Sequence, residues 1–374
     1  MADRPVCTQF PERRDEKMSS QPIINEAKSE EFCMKMLEIL NHGALTSMIS
    51  IGHRTGLFDS MSGLEPLGHE AIAEHAGLNE RYVREWLGAM VTGGFVEYDP
   101  ERKTYYLPPE HAAWLTRKAA PNNLAVTSQW VGVMGPVEDR IIECFRQGGG
   151  VHYEEFARFN EVMAEESAQT VIIPLLDRIL PLVPGIKDRL EQGIEVLDVG
   201  CGSGYAIAEM ARAYPNSRFT GYDLLPSAIE RGRARAREYG LTNISYEAKD
   251  VTKFGDVKRF DLITTFDAVH DQADPASVLS HIHRALKDDG YYLMQDIKGS
   301  SYVERNSENP LATFLYTISC MHCMTVSLAQ GGKGLGAMWG KELACEMLKE
   351  AGFGNVNVME LPHDPINYYY VISK

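Results

Sequence analysis

EVLDVGCGSGYAIAEM, residues 195–210, is the most informative segment of this chain. It opens with an apolar run that ends at Asp198, passes through three glycines at alternate positions, and closes in a pattern typical of a helix. In open α/β sheets, ligands bind at the carboxyl ends of the strands, where such a turn lies. Glycine also lets a ligand come close to the main chain. The segment therefore predicts a strand, a ligand-binding turn and a helix.

The spacing of the three glycines, Gly200, Gly202 and Gly204, excludes two common nucleotide sites. A dinucleotide-binding loop reads G-x-G-x-x-G, whereas here the third glycine comes one residue early and is followed by Tyr205. No lysine follows the turn, which excludes a phosphate-cradling P-loop. Asp198, just before the glycines, is instead placed to meet an ammonium group of a ligand.

Two further carboxylates end the next candidate strands. Asp223, in RFTGYDLLP, is placed where a carboxylate accepts both hydroxyls of a ribose. Asp250, in YEAKDVTKF, is placed to accept from the exocyclic amine of adenine. With Asp198, these acids fit an adenosine that carries a cationic amino-acid tail, which is S-adenosylmethionine. The residues predicted to bind this cofactor are Asp198, Gly200, Gly202, Gly204, Asp223, Leu224, Asp250, Val251, Phe266 and Asp267.

Strands and helices alternate from residue 193 onward, which predicts an α/β fold with a mostly parallel sheet between two layers of helices. The candidate strands lie in IEVLDVG, SRFTGYD, NISYEAKD, FDLITTFD, YYLMQDI, NVNVMEL and NYYYVIS. The last two follow each other closely and predict an antiparallel hairpin. Residues 68–109 read instead as helix, turn, helix and short hairpin, the layout of a winged helix.

Composition limits the possible partners and compartments. The formal net charge of −15 argues against a nucleic-acid partner. The chain has seven cysteines without regular spacing and no secretory signal, which indicates reduced thiols in a cytoplasm. The segment from Asn309 to Gly332 has no Asp, Glu, Lys or Arg, but its polar side chains favour a buried amphipathic helix over a membrane span.

The ordered motifs carry a family resemblance. LDVGCGSG, the acid after the second strand, KD, FDLITTFDAVHD and ALKDDGYYLM resemble the motif series of class I S-adenosylmethionine-dependent methyltransferases over residues 193–374. ISIGHRTGLFDSM, FNEVMAEESAQTVIIPLLDRILPLVPG, MHCMTVSLAQGGKGLGAMWG and PHDPINYYYV resemble a narrower group of winged-helix methyltransferase-like proteins with mycobacterial members. More distantly, the layout is similar to that of plant-type small-molecule O-methyltransferases, whose winged helix dimerises and helps close the pocket.

The resemblance implies a Rossmann-like class I methyltransferase sheet behind a mainly helical winged-helix domain. The expected segments are a mobile tail over residues 1–30, a winged-helix domain over 31–118, a helical bridge or lid over 119–190, and a methyltransferase domain over 191–374. The helix EEFCMKMLEILNHGALTSMISIGHRTGLF offers more apolar surface than one small domain can easily cover, which predicts a homodimer.

Methyl transfer requires an acceptor lone pair aligned behind the methyl group and the exclusion of water, and it needs no metal in principle. His270, in TFDAVHDQADP, is the predicted base. Plant-type O-methyltransferases have a catalytic histidine in a His-Asp-Trp motif, in which His270 and Asp271 match and Gln272 replaces the tryptophan. Alternatively, His270 is a hydrogen-bonded wall residue, and Asp271 orients it or caps the following helix.

The predicted contacts of the acceptor are Tyr153, His322 and Trp339. The sequence Cys-Met-His-Cys that ends at Cys323 invites a metal site, but it lacks a second ligand pair, so no metal is predicted. The favoured function is methyl transfer from S-adenosylmethionine to an oxygen or nitrogen of a small molecule, with neither a nucleic-acid nor a membrane partner.

Two other functions compete with this one. The first is a cofactor-sensing transcriptional regulator that uses its winged helix on DNA. Arg81 and Arg84 of its candidate recognition helix are balanced by Glu80 and Glu85, whereas DNA readers need a basic face. The second is a protein that binds the cofactor and performs other chemistry or none.

Overall fold

The structure, a computed structural model, describes residues 24–374. The tail expected over residues 1–30 lies outside the described residues as far as residue 23, and its remainder enters the first helix at Glu26. The chain divides into two compact units, one ending at Ala44 and the other running from Leu45 to Lys374.

The helices and strands follow the chain in this order. The α-helices are α1 (Glu26–Thr55), α2 (Leu57–Met61), α3 (His69–Ala76), α4 (Glu80–Thr92), α5 (Pro109–Leu115), α6 (Trp130–Met134), α7 (Glu138–Gln147), α8 (Phe159–Ser167), α9 (Ile186–Gln192), α10 (Tyr205–Ala213), α11 (Pro226–Glu238), α12 (Pro275–Ala285), α13 (Ala312–Ile318), α14 (Met324–Ala329) and α15 (Gly340–Glu350). The π-helical turns are Ala168–Ile172, Leu175–Ile179 and Ser319–Cys323. The short 3₁₀ turns are Arg117–Ala119, Thr127–Gln129, Gly135–Val137, Tyr153–Glu155, Leu180–Leu182, Val303–Arg305 and Ala337–Trp339. The strands are β1 (Glu97–Asp99), β2 (Thr104–Tyr106), β3 (Glu195–Val199), β4 (Arg218–Asp223), β5 (Ile244–Ala248), β6 (Phe260–Phe266), β7 (Leu286–Ile297), β8 (Asn355–Leu361) and β9 (Asp364–Ser373).

The predicted winged helix is confirmed by α3, α4 and the antiparallel pair β1–β2. Gly77 ends α3 in the left-handed conformation (φ 64°), and the side chain of Asn79 then caps α4 by accepting from the backbone N–H of Arg81 at 3.1 Å. The buried face of α4 has helical spacing and packs against Phe58, because its apolar side chains recur every three or four residues. Those side chains are Val83, Trp86, Leu87 and Met90.

The main sheet has seven strands in the order β5-β4-β3-β6-β7-β9-β8. The first five of these strands run parallel, while β9 is antiparallel to both β7 and β8, which confirms the predicted closing hairpin. Successive residues of β3 point to opposite faces, so Val196 joins one buried cluster and Leu197 the other. The mostly parallel sheet predicted from the alternating pattern is therefore present.

The strand order reverses direction between β3 and β6, because β4 and β5 lie on one side of β3 and β6 and β7 on the other. Such a reversal leaves a crevice at the carboxyl ends of the two strands, where ligands bind in open α/β sheets. The glycine turn after β3 and the segment Asp267–Asp271 after β6 both lie at this edge.

One continuous helical stretch, Ala312–Ala329, is long and apolar enough to cross a membrane (mean hydropathy 1.3), and 39% of it is buried in the fold. The bent pair Phe159–Leu182 and Ile186–Gln192, which meet at 106°, also passes that test. Within the fold, Phe314, Ile318 and Met321 pack around a core that contains Val326 and Trp130.

Candidate active site

The glycine turn lies against two neighbouring segments. The backbone N–H groups of Gly200 and Cys201 donate to the carbonyl of Tyr222 at 2.8 and 3.0 Å, which joins the turn to the end of β4. Gly200 has φ 73°, and a Cβ at this position would lie 2.7 Å from the Cβ of Ala268. Only glycine fits this backbone conformation and spacing without displacing the loop after β6.

A cavity of about 250 Å³, here called the first chamber, opens beside this turn. It brings together ten of the predicted site residues, namely Tyr153, Asp198, Gly200, Gly202, Asp223, Leu224, Val251, Phe266, Asp267 and Asp271. Sequence reasoning missed other residues of its wall, including Phe159, Cys201, Ser203, Tyr205, Arg231 and Gln272.

The carboxylates of Asp198 and Asp223 are fixed by different partners. Asp198 is buried and accepts from the hydroxyl of Thr264 at 2.7 Å, and its burial raises its pKa to about 7. Asp223 accepts from the backbone N–H of Gly202 at 2.8 Å and of Leu225 at 2.9 Å, and burial raises its pKa. An ammonium or hydroxyl donor in the first chamber would favour the ionised form of both acids.

Asp250 does not line the first chamber, so the structure does not bring it together with the other residues predicted to bind the cofactor. Its carboxylate accepts from the backbone N–H and the hydroxyl of Thr252 at 3.0 and 2.6 Å, and it forms an ion pair with Lys253 at 3.0 Å. These local partners turn the side chain away, and the adjacent Val251 lines the chamber instead.

Gly204 is also outside the wall of the first chamber. It precedes α10 in the left-handed conformation (φ 69°), and its carbonyl accepts from the hydroxyl of Tyr246 at 3.1 Å. A Cβ on Gly204 would lie 2.3 Å from the ring of Tyr246. Gly204 therefore begins the helix, and its predicted contact with the cofactor stays a prediction.

A second cavity of about 100 Å³, here called the second chamber, adjoins the first. The walls of the two chambers share Phe159, Met163, Ser167, Asp267 and Asp271. The second chamber adds His270, His322 and Cys323, together with apolar side chains such as Phe314 and Ile318. The two chambers thus form one cleft, divided at the loop after β6.

His270 lies in the wall of the second chamber between two carboxylates. Its Nδ1 is 2.7 Å from Oδ1 of Asp296, and its Nε2 is 3.2 Å from Oδ1 of Asp271. Burial opposes the charge of the imidazolium, but Asp296 and Asp271 outweigh it and raise the pKa of His270 well above its usual value. Burial likewise opposes ionisation of Asp271, yet the charge of His270 lowers the pKa of this acid to about 2. His270 and Asp271 therefore form an ion pair in this wall.

Asp296 was missed, although it lies near the carboxyl end of β7, where the rule applied to Asp198 and Asp223 would have found it. Besides His270, it accepts from the indole N–H of Trp339 at 2.9 Å. Trp339 is buried in the core and lines neither chamber, so the structure does not bring it to the site where its contact with the acceptor is predicted. Its indole instead fixes the carboxylate that holds His270.

Asp271 contacts His270 and Tyr153, and the helix that follows is capped by another residue. The phenol of Tyr153 donates to Oδ2 of Asp271 at 3.0 Å. The helix α12 is capped by Asp274, which accepts from the backbone N–H of Ser277 at 3.3 Å. Of the two roles considered for Asp271, the structure favours the contact with His270 over the cap of the helix.

His322 is buried and stacks on Phe159, with ring centroids 4.1 Å apart and an angle of 14° between the planes. Burial lowers its pKa to about 4, so this imidazole is neutral at physiological pH. Its Nε2 is buried without a hydrogen-bond partner in the described part of the chain. The predicted acceptor contact His322 thus lines the second chamber, whereas Tyr153 lines the first.

Among residues 24–374, His270, Asp271 and Cys323 are the group whose donor atoms lie close enough for a metal ion, all within 4.8 Å of one another. The imidazole and the carboxylate already pair with each other. Burial raises the pKa of Cys323 to about 12, so its thiol remains protonated at neutral pH. The absence of a metal stays a prediction.

Asp267 has a strained backbone at the boundary between the chambers. Its φ is 47°, and its N–H donates to the carbonyl of Gln295 at 3.1 Å. One oxygen of its carboxyl is buried without a partner among the described residues, and burial raises its pKa well above the usual value. A non-glycine residue in this conformation costs on the order of 1–3 kcal/mol and is found most often at functional sites.

Two protein families match separate parts of the chain. Residues 43–117 match the Rv2258c-like winged HTH domain, and residues 190–352 match a methyltransferase domain. The chain therefore carries a winged helix-turn-helix domain followed by a methyltransferase domain.

Curated relatives cover the methyltransferase part. A ubiquinone biosynthesis O-methyltransferase of Paracidovorax citrulli is 33% identical over 126 residues, which are 33% of this chain and 52% of the relative. The Serratia proteamaculans protein of that name is 30% identical over 165 residues, or 41% of this chain and 65% of the relative. A malonyl-[acyl-carrier protein] O-methyltransferase of Acetivibrio thermocellus is 24% identical over 154 residues, which are 41% of this chain and 48% of the relative. The chain spans about half the length of most of the curated relatives it matches.

Solved structures share the fold along nearly the whole chain. The mitomycin 7-O-methyltransferase MmcR has a TM-score of 0.66 at 17% identity, covering 94% of this chain and 100% of its own. Human N-acetylserotonin methyltransferase, solved in complex with S-adenosylmethionine, has a TM-score of 0.66 at 16% identity. The match covers 96% of this chain and 99% of the human chain. At these identities the similarity shows the fold alone.

Proposed function

We propose that this protein transfers a methyl group from S-adenosylmethionine to an oxygen or nitrogen atom of a small-molecule acceptor. The observation that carries the proposal is the pair of adjoining chambers at the reversal point of a methyltransferase-type sheet, with Asp267 and Asp271 in both walls. In this assignment the first chamber holds the cofactor and the second chamber holds the acceptor.

The chemistry of the first chamber fits the cofactor. Asp198 is a buried carboxylate whose hydrogen-bond donor is the neutral hydroxyl of Thr264, and an ammonium group supplies the cation that it lacks. Asp223 presents a carboxylate already positioned by two backbone N–H groups, as a ribose site requires. When bound, S-adenosylmethionine supplies an electrophilic methyl group on a sulfonium centre.

The second chamber supplies the surroundings that the acceptor needs. Its apolar wall, which includes Phe314 and Ile318, excludes water and limits the orientations of a small molecule. The neutral imidazole of His322 presents an Nε2 that lacks a partner among the described residues and is therefore available to a polar group of the acceptor.

His270 is the proposed proton acceptor. Asp296 orients it through Nδ1, and Asp271 lies beside the Nε2 that takes the proton, where its charge stabilises the protonated ring. Removal of a proton from the acceptor at Nε2 of His270 produces an imidazolium, which Asp296 stabilises at Nδ1. Because the flanking carboxylates raise the pKa of His270, the neutral form is a minority at pH 7 but a stronger base than an ordinary histidine.

The regulator hypothesis is less well supported. On α4, Arg81 pairs with Glu85 at 2.5 Å and Arg84 pairs with Glu80 at 3.4 Å, so its basic side chains are already neutralised. A helix that reads DNA presents unpaired cations to phosphates and bases. We therefore propose that the protein has no nucleic-acid partner.

We also propose that the protein has no membrane partner and acts in the cytoplasm, in keeping with its free thiols in residues 24–374.

Exposed apolar side chains on α1 support a homodimer. Within residues 24–44, the exposed fractions are 61% for Phe32, 49% for Leu37 and 65% for Leu40. A row of apolar groups of this kind marks an association surface more often than a solvated face. A second copy of the chain is the proposed occupant.

The proposal is tested by incubating the full chain with S-adenosylmethionine and a library of small hydroxyl and amine compounds, and measuring S-adenosylhomocysteine. Cofactor binding is measured separately by calorimetry. Binding of the cofactor with turnover of at least one compound is the expected result. Failure to bind S-adenosylmethionine would overturn the proposal, and binding without any turnover would favour the rival protein that uses the cofactor for other chemistry.

A further inference from the structure

The wall of the second chamber contains acids but no unpaired cation among the described residues. Its carboxyl groups are those of Glu166, Asp267 and Asp271, and neither a lysine nor an arginine of residues 24–374 lines it. Burial raises the pKa of Glu166 and of Asp267, so a cation in the chamber would favour their ionised forms. A ligand site whose wall has acids and no free cation disfavours anionic ligands, because a negative charge without a counterion is costly to bury.

The two imidazoles of the chamber do not offset these acids. Burial keeps His322 neutral near physiological pH. The charge of His270 is already shared between Asp296 at 2.7 Å and Asp271 at 3.2 Å. An anionic acceptor would therefore find no free cation in the wall.

Glu166, on α8, is the acid in this wall that the proposed methyl transfer leaves without a role. Its two carboxyl oxygens accept from the indole N–H of Trp130 at 2.5 Å and from the hydroxyl of Thr127 at 2.9 Å. Both donors are neutral, and Glu166 forms no ion pair in the part of the chain that the structure describes. Its neighbour Glu165 differs, since it pairs with His53 at 2.7 Å and lines neither chamber.

Aromatic rings surround the same space. Trp130, Phe159 and Phe314 all line the second chamber, and the rings of Trp130 and Phe159 lie 5.8 Å apart. Aromatic faces attract cations, and an ammonium group gains from a carboxylate and aromatic faces together.

We propose that the methyl acceptor carries a protonated amine or a similar cationic donor, and that Glu166 is the residue that selects it. This inference rests on the proposed function, because it assigns the second chamber to the acceptor. Glu166 binds the ammonium group through a charge-assisted hydrogen bond while the reacting atom lies toward His270. Carboxylates and phosphates are excluded by the same wall.

The test measures binding, so it does not depend on turnover. The full chain, saturated with S-adenosylhomocysteine, is titrated with a panel of small ring compounds in sets that share the ring and a two-carbon chain and differ in the charge of the terminal group. Tyramine, para-ethylphenol and para-hydroxyphenylpropanoate form one such set. The amines are expected to bind on the order of tenfold or more tightly than the matched carboxylates, as a charge-assisted hydrogen bond implies.

Two variants separate Glu166 from a general effect of protein charge. Glu166→Gln keeps the size of the side chain and one acceptor oxygen, which can still accept from Trp130, while its amide NH2 can donate to the hydroxyl of Thr127. It should remove most of the preference for amines while leaving the affinity for the uncharged compounds within about threefold of the wild type. Glu165→Gln removes the adjacent charge outside the chamber and should keep the preference.

The outcomes also separate this inference from the proposed function. Loss of the preference in both variants, equal binding of carboxylates and amines, or no binding by any amine would overturn the inference, provided that S-adenosylhomocysteine still binds. Absence of S-adenosylhomocysteine binding would instead overturn the proposed function.

Discussion

At the scale of single residues, a substitution of Asp223 most directly tests whether the first chamber binds the cofactor. Asp223→Ala removes a carboxylate held by the N–H groups of Gly202 and Leu225. Binding of S-adenosylhomocysteine should weaken by about 1–3 kcal/mol, because a hydrogen bond to a charged group is lost. Calorimetry measures the change, and Asp250→Ala, outside the chamber, is the control. Equal losses in the two variants would contradict the assignment.

His270 gives a prediction about pH. Since Asp296 and Asp271 raise its pKa, turnover should increase as the pH rises above neutrality, until the imidazole is fully neutral. His270→Ala should lower turnover by about 10²–10⁴-fold and remove this increase, as the loss of a general base implies. Single-turnover methylation across pH checks both effects. A variant within about threefold of the wild type, with the same pH profile, would leave His270 a wall residue.

Asp296→Asn supplies the matched control for this pH profile. It keeps a hydrogen-bond acceptor near Nδ1 of His270 but removes one of the flanking charges, so the pKa of His270 should fall and the rise in turnover should move to lower pH. A magnetic-resonance titration of His270 measures the same shift without an acceptor.

The pKa shifts of His270 and Asp271 make the free energy of unfolding depend on pH. Because the pKa of His270 is raised in the folded state, this residue adds most to the free energy of unfolding at low pH, and its contribution is lost as the pH rises through the folded-state pKa. Asp271, with a pKa near 2, contributes above the unfolded pKa of about 3.9, and its contribution is lost as the pH falls toward 2.

Residue roles could be read from the sequence where chain order alone determines position. Asp198 lies near the carboxyl end of β3 and His270 follows β6, so their place at one edge of a mostly parallel sheet follows from the topology. Asp250 also follows a strand, but the local donors Thr252 and Lys253 redirect its carboxylate. Glu166 reaches the second chamber by tertiary packing of a distant helix, for which spacing in the sequence gives no signal.

At the scale of elements, the glycine turn joins β3 to α10 and positions the loop after β6. Gly200→Ala would place a Cβ 2.7 Å from that of Ala268 at a backbone φ of 73°. We expect a loss of about 1–3 kcal/mol in the free energy of unfolding together with weaker cofactor binding, because the strained backbone or the neighbouring loop must move. Urea denaturation and calorimetry measure the two effects.

Gly255→Ala is the matched control for the turn, since a Cβ there meets no atom within 4 Å. It should leave cofactor binding unchanged. If Gly200→Ala bound S-adenosylhomocysteine as tightly as the wild type, the close approach of the turn to Ala268 would have no part in shaping the first chamber.

The strands were predicted more securely than the segments that cover them. Strands such as FDLITTF are buried on both faces, and their aromatic and β-branched residues make them easy to recognise. The π-helical turns Ala168–Ile172 and Ser319–Cys323 were not predicted, because a π turn has the same composition as an α-helix. Each adjoins residues of the second chamber, and π turns often occur at functional sites.

At the scale of the whole molecule, assembly follows from the exposed face of α1. Leu37→Asp combined with Leu40→Asp introduces charges among side chains that are 49% and 65% exposed. The wild type should sediment as a dimer at micromolar concentration and the variant as a monomer, because a buried unpaired charge is costly at an interface. A wild-type monomer, or a variant that remains a dimer, would contradict the proposed interface.

The division of the cleft has a consequence for how such proteins diversify. The first chamber is built largely from residues between Asp198 and Asp267, α8 contributes to both chambers, and the second chamber is closed by α13 and the segment near Ile366. Substitutions in the segments that cover the second chamber can therefore change acceptor specificity during evolution, while the residues of the first chamber, proposed to bind the cofactor, stay the same. A protein engineer has the same freedom, and libraries limited to Phe314, Ile318 and Ile366 explore acceptor choice while the glycine turn remains untouched.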